Sequence, residues 1–229
     1  MAMDFLKEIK GKLVVSCQAL PEEPLHSAFI MGRMARAAKE GGASAIRAQG
    51  AEDIREIRRV TGLPVIGLIK RNYADSEIYI TATLREVEEL LDTGCEMIAI
   101  DMTNRMRPNG LDVKVLIDRV HAAGRLVLAD ISTYEEGMAA ARLGADAIST
   151  TMSGYTAYSP QLDGPDLELV KRLTAAAPIP VFAEGRINTP ADLAQAMAAG
   201  AYAPIVGSAI TRPQLITAKF FQALGGNEK

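Results

Sequence analysis

Reading the close of each short apolar run along this chain gives Gln18, Arg47, Lys70, Asp101, Asp130, Thr150-Thr151, Glu184 and Gly207-Ser208. Apolar runs that keep ending on ionisable groups are costly in a purely structural protein, because charge beside buried chain must be desolvated. The set therefore reads as a collected site. Lys70 is its sharpest member. It follows Val65-Ile66-Gly67-Leu68-Ile69, so its stem leaves a buried segment while its amine reaches the surface of a cleft. A lysine so placed could be a Schiff-base nucleophile, a general base once its pKa is depressed, or a substrate-binding charge. Asp101 and Asp130 could be bases, or could orient lysine and arginine side chains. Arg71 reads as a solvated or structural cation. His26 and His121 read as packing or surface residues within helical stretches.

Two turns near the C-terminus have the composition of an anion site. Glu184-Gly185-Arg186, and Gly207-Ser208 followed by Thr211-Arg212, combine glycines with arginines. Glycine lets backbone N–H groups approach a phosphate, and a nearby helix N-terminus adds positive potential. Tight turns alone would explain the glycines but not the arginines. Residues 151–164, with Tyr155, Tyr158 and Pro160, form a connection longer than usual. It could close over a ligand or stand as a rigid excursion.

These residues need a scaffold, and an internal repeat supplies one. A helix-ending glycine, a small residue and a short apolar strand recur at Gly42, Gly94, Gly144 and Gly200, spaced 52, 50 and 56 residues apart. Four more apolar runs, at 13–18, 64–70, 126–130 and 180–184, lie between them. All are continuously apolar, as strands covered on both faces must be. Thr83-x-x-Glu86 and Thr133-x-x-Glu136 predict capping boxes. Thr189-Pro190 predicts a hydroxyl cap with proline at the first helical position. Val87, Leu90 and Leu91 give one apolar face to a helix over 84–93 that Gly94 ends.

Eight strands alternating with helices specify parallel pairing through right-handed crossovers. The expected fold is α/β, a (β/α)8 TIM barrel forming a single domain over residues 1–229. Its site would collect at the C-terminal ends of the strands. An open doubly wound sheet is the alternative, weakened because no Gly-x-Gly-x-x-Gly follows the first strand.

Composition narrows the partners. With 48% hydrophobic and 23% charged residues, the chain is globular rather than disordered. Its 25 basic and 28 acidic side chains leave no basic excess for nucleic acid or an anionic membrane. Cys17 and Cys95 make neither a disulfide framework nor a Cys-x-x-Cys metal site. No apolar run approaches the roughly 18 residues that span a bilayer, and Asp4, Lys7, Glu8 and Lys10 break the start as a signal peptide. The expectation is a cytoplasmic, soluble protein without bound metal.

Several motifs in register resemble one family, the N-acetylmannosamine-6-phosphate 2-epimerases of sialic acid breakdown. They are Val15-Ser16-Cys17-Gln18-Ala19, Ile46-Arg47-Ala48, Gly67-Leu68-Ile69-Lys70-Arg71, Ala129-Asp130-Ile131-Ser132, Ala183-Glu184-Gly185-Arg186-Ile187 and Val206-Gly207-Ser208-Ala209-Ile210-Thr211-Arg212-Pro213. The stretch Thr151-Met152-Ser153-Gly154-Tyr155-Thr156 is also similar. The resemblance covers almost the whole chain. It implies a cofactor-free interconversion of N-acetylmannosamine 6-phosphate and N-acetylglucosamine 6-phosphate, and a homodimer. It implies Lys70 as acid/base with Glu184 in the catalytic pair, and Gln18, Arg47 and Asp130 at sugar-contacting positions. Gly185, Arg186, Gly207, Ser208 and Arg212 fall at phosphate-contacting positions. A Schiff-base aldolase using Lys70 and a non-catalytic sugar-phosphate sensor are the competing functions.

Overall fold

Eight strands, β1 (Val14–Cys17), β2 (Ala45–Gln49), β3 (Val65–Leu68), β4 (Met97–Asp101), β5 (Leu126–Asp130), β6 (Ala147–Ser149), β7 (Val181–Glu184) and β8 (Ala203–Val206), are buried along nearly their whole length. A parallel strand apolar on both faces needs side chains packed inside and helices outside. The computed structural model, which describes residues 2–225, meets both needs by closing the strands in sequence order into one parallel barrel. The closing pair is Val14↔Ile205 and Val15↔Val206. The longest ladder runs from Met97↔Leu126 to Asp101↔Asp130. Closure excludes the open doubly wound alternative.

Alternation along each strand divides the core in two. Val14, Ile66, Leu68, Met97, Leu128, Phe182 and Ile205 fill the barrel. Val15, Ile46, Ile98, Val127 and Ile148 face outward against the helices. The outer layer is α2 (Ala28–Glu40), α3 (Ala51–Thr61), α4 (Leu84–Leu91), α5 (Val113–Ala122), α6 (Tyr134–Leu143), α7 (Leu167–Ala176) and α8 (Pro190–Ala198), followed after β8 by the single turn α9 (Ser208–Thr211) and by α10 (Pro213–Ala223). The two expected capping boxes form at Thr83 and Thr133, and Thr189 makes a third with Asp192.

Three departures matter for the site. The first helix, α1 (Ala2–Ile9), inserts Phe5 and Ile9 into the barrel core and seals its N-terminal end. The Tyr202 hydroxyl donates to the Leu6 carbonyl across that seal at 2.8 Å. Second, the third strand stops at Leu68 rather than Lys70, which instead bridges Ile80 in an antiparallel turn. Third, His26 lies in the β1–α2 connection, outside any helix, with Nδ1 3.1 Å from the Ala19 carbonyl oxygen. His121 is helical as expected and pairs with Asp146. Among the described residues, no helix is long and apolar enough to cross a membrane.

Candidate active site

The same alternation builds the site. In each strand the residue two positions beyond the last inward apolar side chain also points inward, at the C-terminal mouth. Ser16 follows Val14, Arg47 follows Ala45, Lys70 follows Leu68, Asp130 follows Leu128, and Glu184 follows Phe182. The polar layer is therefore a direct continuation of the barrel core.

At its centre Arg47, only 1% exposed, holds two carboxylates. Nη1 donates to Asp130 Oδ1 at 2.9 Å and to Glu184 Oε2 at 2.7 Å, while Nη2 donates to Asp130 Oδ2 at 2.6 Å. Thr151 Oγ1 lies 2.7 Å from Asp130 Oδ1 and 2.9 Å from Glu184 Oε2, and Ser149 Oγ donates to the same glutamate oxygen at 3.1 Å. Burial raises the Glu184 pKa, with Arg47 opposing and Asp130 reinforcing that rise.

Lys70 differs from these groups. No side chain among the described residues accepts from its amine, although its backbone N–H reaches Gln49 Oε1 at 3.4 Å. Its pKa is lowered from 10.5 to about 8, first by burial, then by Arg47 and Arg212, with Glu184 and Glu23 pulling the other way. Burial and the two arginines thus outweigh the two carboxylates. An amine in that range supplies free base near neutral pH while remaining a competent acid.

Gln18, Arg47, Lys70, Glu184, Gly185, Arg186, Gly207, Ser208 and Arg212 all line one cleft of about 850 Å³ at the barrel mouth. Gln18 donates from Nε2 to Ser16 Oγ at 2.8 Å, and its buried Oε1 has no partner among the described residues. Asp130 does not line the cleft; it is fully buried beneath Arg47 and takes the orienting alternative. Asp101 also orients, but elsewhere: it holds Arg105 Nη2 at 2.6 Å and the Thr103 backbone at 3.0 Å. Arg71 is structural, tied to Glu86 and Glu89.

The two glycine turns meet on one wall. Gly185 has φ 102° and Arg186 φ 53°. Ser208 and Ala209 open α9, where N–H groups lack intrahelical partners. With only one turn, α9 has little macrodipole, so positive charge must come from side chains. Arg212 supplies it, held at 3.0 Å by Glu23 Oε2, whose other oxygen accepts from Gln214. The Arg186 guanidinium donates to the carbonyls of Gly164 and Ser153.

The 151–164 connection is a built excursion. Ser153 donates to Asp166, Thr156 to Ser132, and Tyr158 to Glu136. Sequence reading missed Ser16, Asn72 and Tyr79 on the cleft wall. Ser16 was accessible from strand alternation. Asn72 and Tyr79 sit in the 69–83 connection, whose irregular course carries no periodic signal. Thr81 there has φ 43°, unusual for a β-branched residue. Its hydroxyl accepts from Ile69 N and its N–H donates to the Ile69 carbonyl, which fixes the backbone next to Lys70.

The family model described as "Putative N-acetylmannosamine-6-phosphate epimerase" (NanE) matches residues 31–226. A Clostridium perfringens (strain SM101 / Type A) protein carrying the 2-epimerase form of that name is 62% identical over 219 residues, 96% of this chain and 99% of its own. A Clostridioides difficile (strain 630) relative of the same name is 62% identical over 219 residues, 96% of this chain and 98% of its own. The solved N-acetylmannosamine-6-phosphate 2-epimerase from Clostridium perfringens superposes with a TM-score of 0.94 at 62% identity, covering 95% of each chain. A thiamine phosphate pyrophosphorylase from Pyrococcus furiosus, at TM-score 0.60 and 19% identity over 96% of this chain and all of its own, shares the fold alone. A matching model over most of the residues, and relatives this similar from end to end, mean that the chain belongs to the N-acetylmannosamine-6-phosphate 2-epimerase family.

Proposed function

We propose that this enzyme interconverts N-acetylmannosamine 6-phosphate and N-acetylglucosamine 6-phosphate in sialic acid catabolism, by moving the C2 proton of the open-chain sugar. The observation that carries the chemistry is the Lys70 amine facing the same cleft as Glu184, with no side-chain acceptor among the described residues and a pKa lowered by burial to about 8. A C2 proton becomes acidic only when C1 is an aldehyde, so the pyranose opens first. Glu184, with its pKa raised by burial, relays the ring-hydroxyl proton in that step. Lys70 then removes the C2 proton, and the resulting ammonium faces the enolate it has made. Returning the proton to the other face inverts C2.

The sugar is held by Gln18, which lines the cleft, and by Arg47 acting with Asp130 beneath it. The phosphate is bound by the N–H groups of Gly185, Gly207 and Ser208 and by Arg212. A proton NMR assay of N-acetylmannosamine 6-phosphate with the protein and no added metal tests the reading. Failure to form the C2 epimer removes it. The same free amine suits a Schiff base, so borohydride trapping of an adduct at Lys70 would favour the aldolase reading instead.

Arg212→Ala is expected to raise KM at least tenfold, given about 1.5–3 kcal/mol for a charged hydrogen bond. It also leaves Glu23 unopposed next to the phosphate. Wild-type enzyme should turn over the unphosphorylated sugar poorly, because remote binding energy positions the reacting carbon. Equal rates on both sugars would remove this phosphate assignment. Among the described residues no three His, Cys, Asp or Glu side chains are grouped to hold a metal. Activity is expected to survive EDTA; a loss restored by divalent ions would recast Asp101 and Asp130 as ligands. A homodimer would cover the exposed Leu215, Phe220, Phe221 and Leu224 on and beside α10, and sedimentation velocity reads that state directly.

A further inference from the structure

We infer that Arg186 is a positioning residue that clasps the 151–164 excursion to the phosphate turn, and that its guanidinium does not bind the phosphate. This rests on the phosphate assignment above. The backbone and side chain of Arg186 are committed to different tasks. Its φ of 53°, directly after Gly185 at 102°, puts two consecutive left-handed residues in the β7–α8 connection where that connection lines the cleft. Non-glycine residues occupy that region rarely and only where the surroundings enforce it.

The side chain is engaged with the excursion instead. Nε donates to the Gly164 carbonyl at 3.1 Å and Nη2 to the Ser153 carbonyl at 2.8 Å. Those carbonyls stand at the two ends of the excursion, so one planar fork closes the loop on itself. The guanidinium also lies 5.6 Å from the ring centroid of Tyr155, which the excursion presents to the cleft. Room for the clasp depends on Gly154. With φ 78°, it lies directly under the guanidinium, and a Cβ there would overlap Nη1 and Nη2. Asn188, just beyond the turn, reinforces the far end by donating to the Asp163 carbonyl at 3.4 Å.

An anion taken up by the turn's N–H groups thereby fixes the backbone from which the clasp springs. The two arginines of the phosphate wall divide the work: Arg212 brings charge, and Arg186 brings the loop.

Lysine keeps the charge of Arg186 but cannot span two carbonyls, so Arg186→Lys separates the two roles. Arg186→Lys and Gly154→Ala are each expected to lower kcat about tenfold or more, as a misplaced wall does. Their preference for phosphorylated over unphosphorylated sugar should stay near that of wild type, whereas Arg212→Ala should lose it. Hydrogen exchange followed by mass spectrometry, without substrate, should show faster amide exchange over 151–164 in both variants and not in Arg212→Ala. Inorganic phosphate should slow that exchange in wild type and leave it unchanged in Arg186→Lys. Wild-type kinetics and exchange in Arg186→Lys, or a loss of phosphate preference matching Arg212→Ala, would overturn the inference. Because the exchange arm needs no turnover, it decides the clasp even if the epimerase assay fails.

Discussion

Replacing Lys70 with methionine is expected to abolish epimerisation while making the folded protein more stable at pH 7. The loss in kcat/KM should approach 10⁴-fold, the upper range for removing a positioned general base. The stability gain follows from the depressed pKa. In the unfolded chain Lys70 titrates near 10.5, and in the folded protein at about 8. Below pH 8 both states carry the proton, and the folded state bears the full cost of burying it, on the order of a few kcal/mol. Between pH 8 and 10.5 the unfolded state binds more proton, so wild-type stability recovers with rising pH, and above 10.5 the cost is gone. The variant lacks this dependence. Its Tm should exceed wild type at pH 7, with the gap narrowing towards pH 10. A lower Tm at pH 7 would mean that the amine has a partner in solution and that its pKa is not depressed.

The wild-type pH–rate profile reports the same group. kcat/KM should rise about tenfold per unit below pH 8 and level off above it, because only the free amine takes the C2 proton. In D2O, a single lysine handling both transfers labels recovered substrate as well as product. Deuterium confined to product would assign the second transfer to another base. That base would be Glu184, since β3 and β7 stand opposite each other in an eight-stranded barrel. A Lys70 variant that still exchanges C2 would show the wrong residue has been named.

Much of this is legible in the sequence alone, because a strand–helix unit recurs along the chain and eight such units close into a barrel. Continuous apolar runs gave the eight strands, and their polar terminal residues became the inward layer at the mouth. The capping boxes at Thr83 and Thr133 were legible because they are local, three-residue relations. What stayed hidden depends on long-range choices of partner. Asp101 and Asp130 end adjacent strands in register and look alike in sequence. Arg105, four residues along the chain, captures Asp101, whereas Arg47, 83 residues away, captures Asp130. Arg186 reads as phosphate charge from its neighbours in the motif, whereas its αL backbone and the carbonyls it reaches are visible only in the tertiary structure. The sealing helix α1 is hard to read because its Phe5, Leu6 and Ile9 stripe spans only eight residues, too short a window for a helical period to stand out.

Arg47→Met is expected to be the most destabilising substitution in the mouth. Arg47 is the shared cation of two carboxylates, one fully buried and the other nearly so. Removing one partner of a buried ion pair costs about 3–5 kcal/mol, since the other charge is left uncompensated. For a chain of this length each kcal/mol shifts Tm by roughly 2–4 °C, so a fall of about 10 °C or more should be seen. The pH dependence identifies the cause. Arg47 is the main force holding the Glu184 pKa down against burial, so without it that pKa rises further. A carboxyl group whose folded pKa exceeds its unfolded value loses stability as pH rises through the folded value. The deficit of Arg47→Met should therefore shrink as pH falls through the range in which Glu184 takes up its proton, and grow as pH rises through it. Adding Asp130→Asn to Arg47→Met removes one of the stranded charges and should recover part of the loss, a coupling that thermal melts of the four proteins would measure. Arg47 also ranks next after burial among the influences lowering the Lys70 pKa. Whatever activity Arg47→Met retains should accordingly have its pH–rate profile displaced to the alkaline side. A deficit that does not change with pH would break the argument, because it would trace the loss to packing rather than to the charges that Arg47 balances.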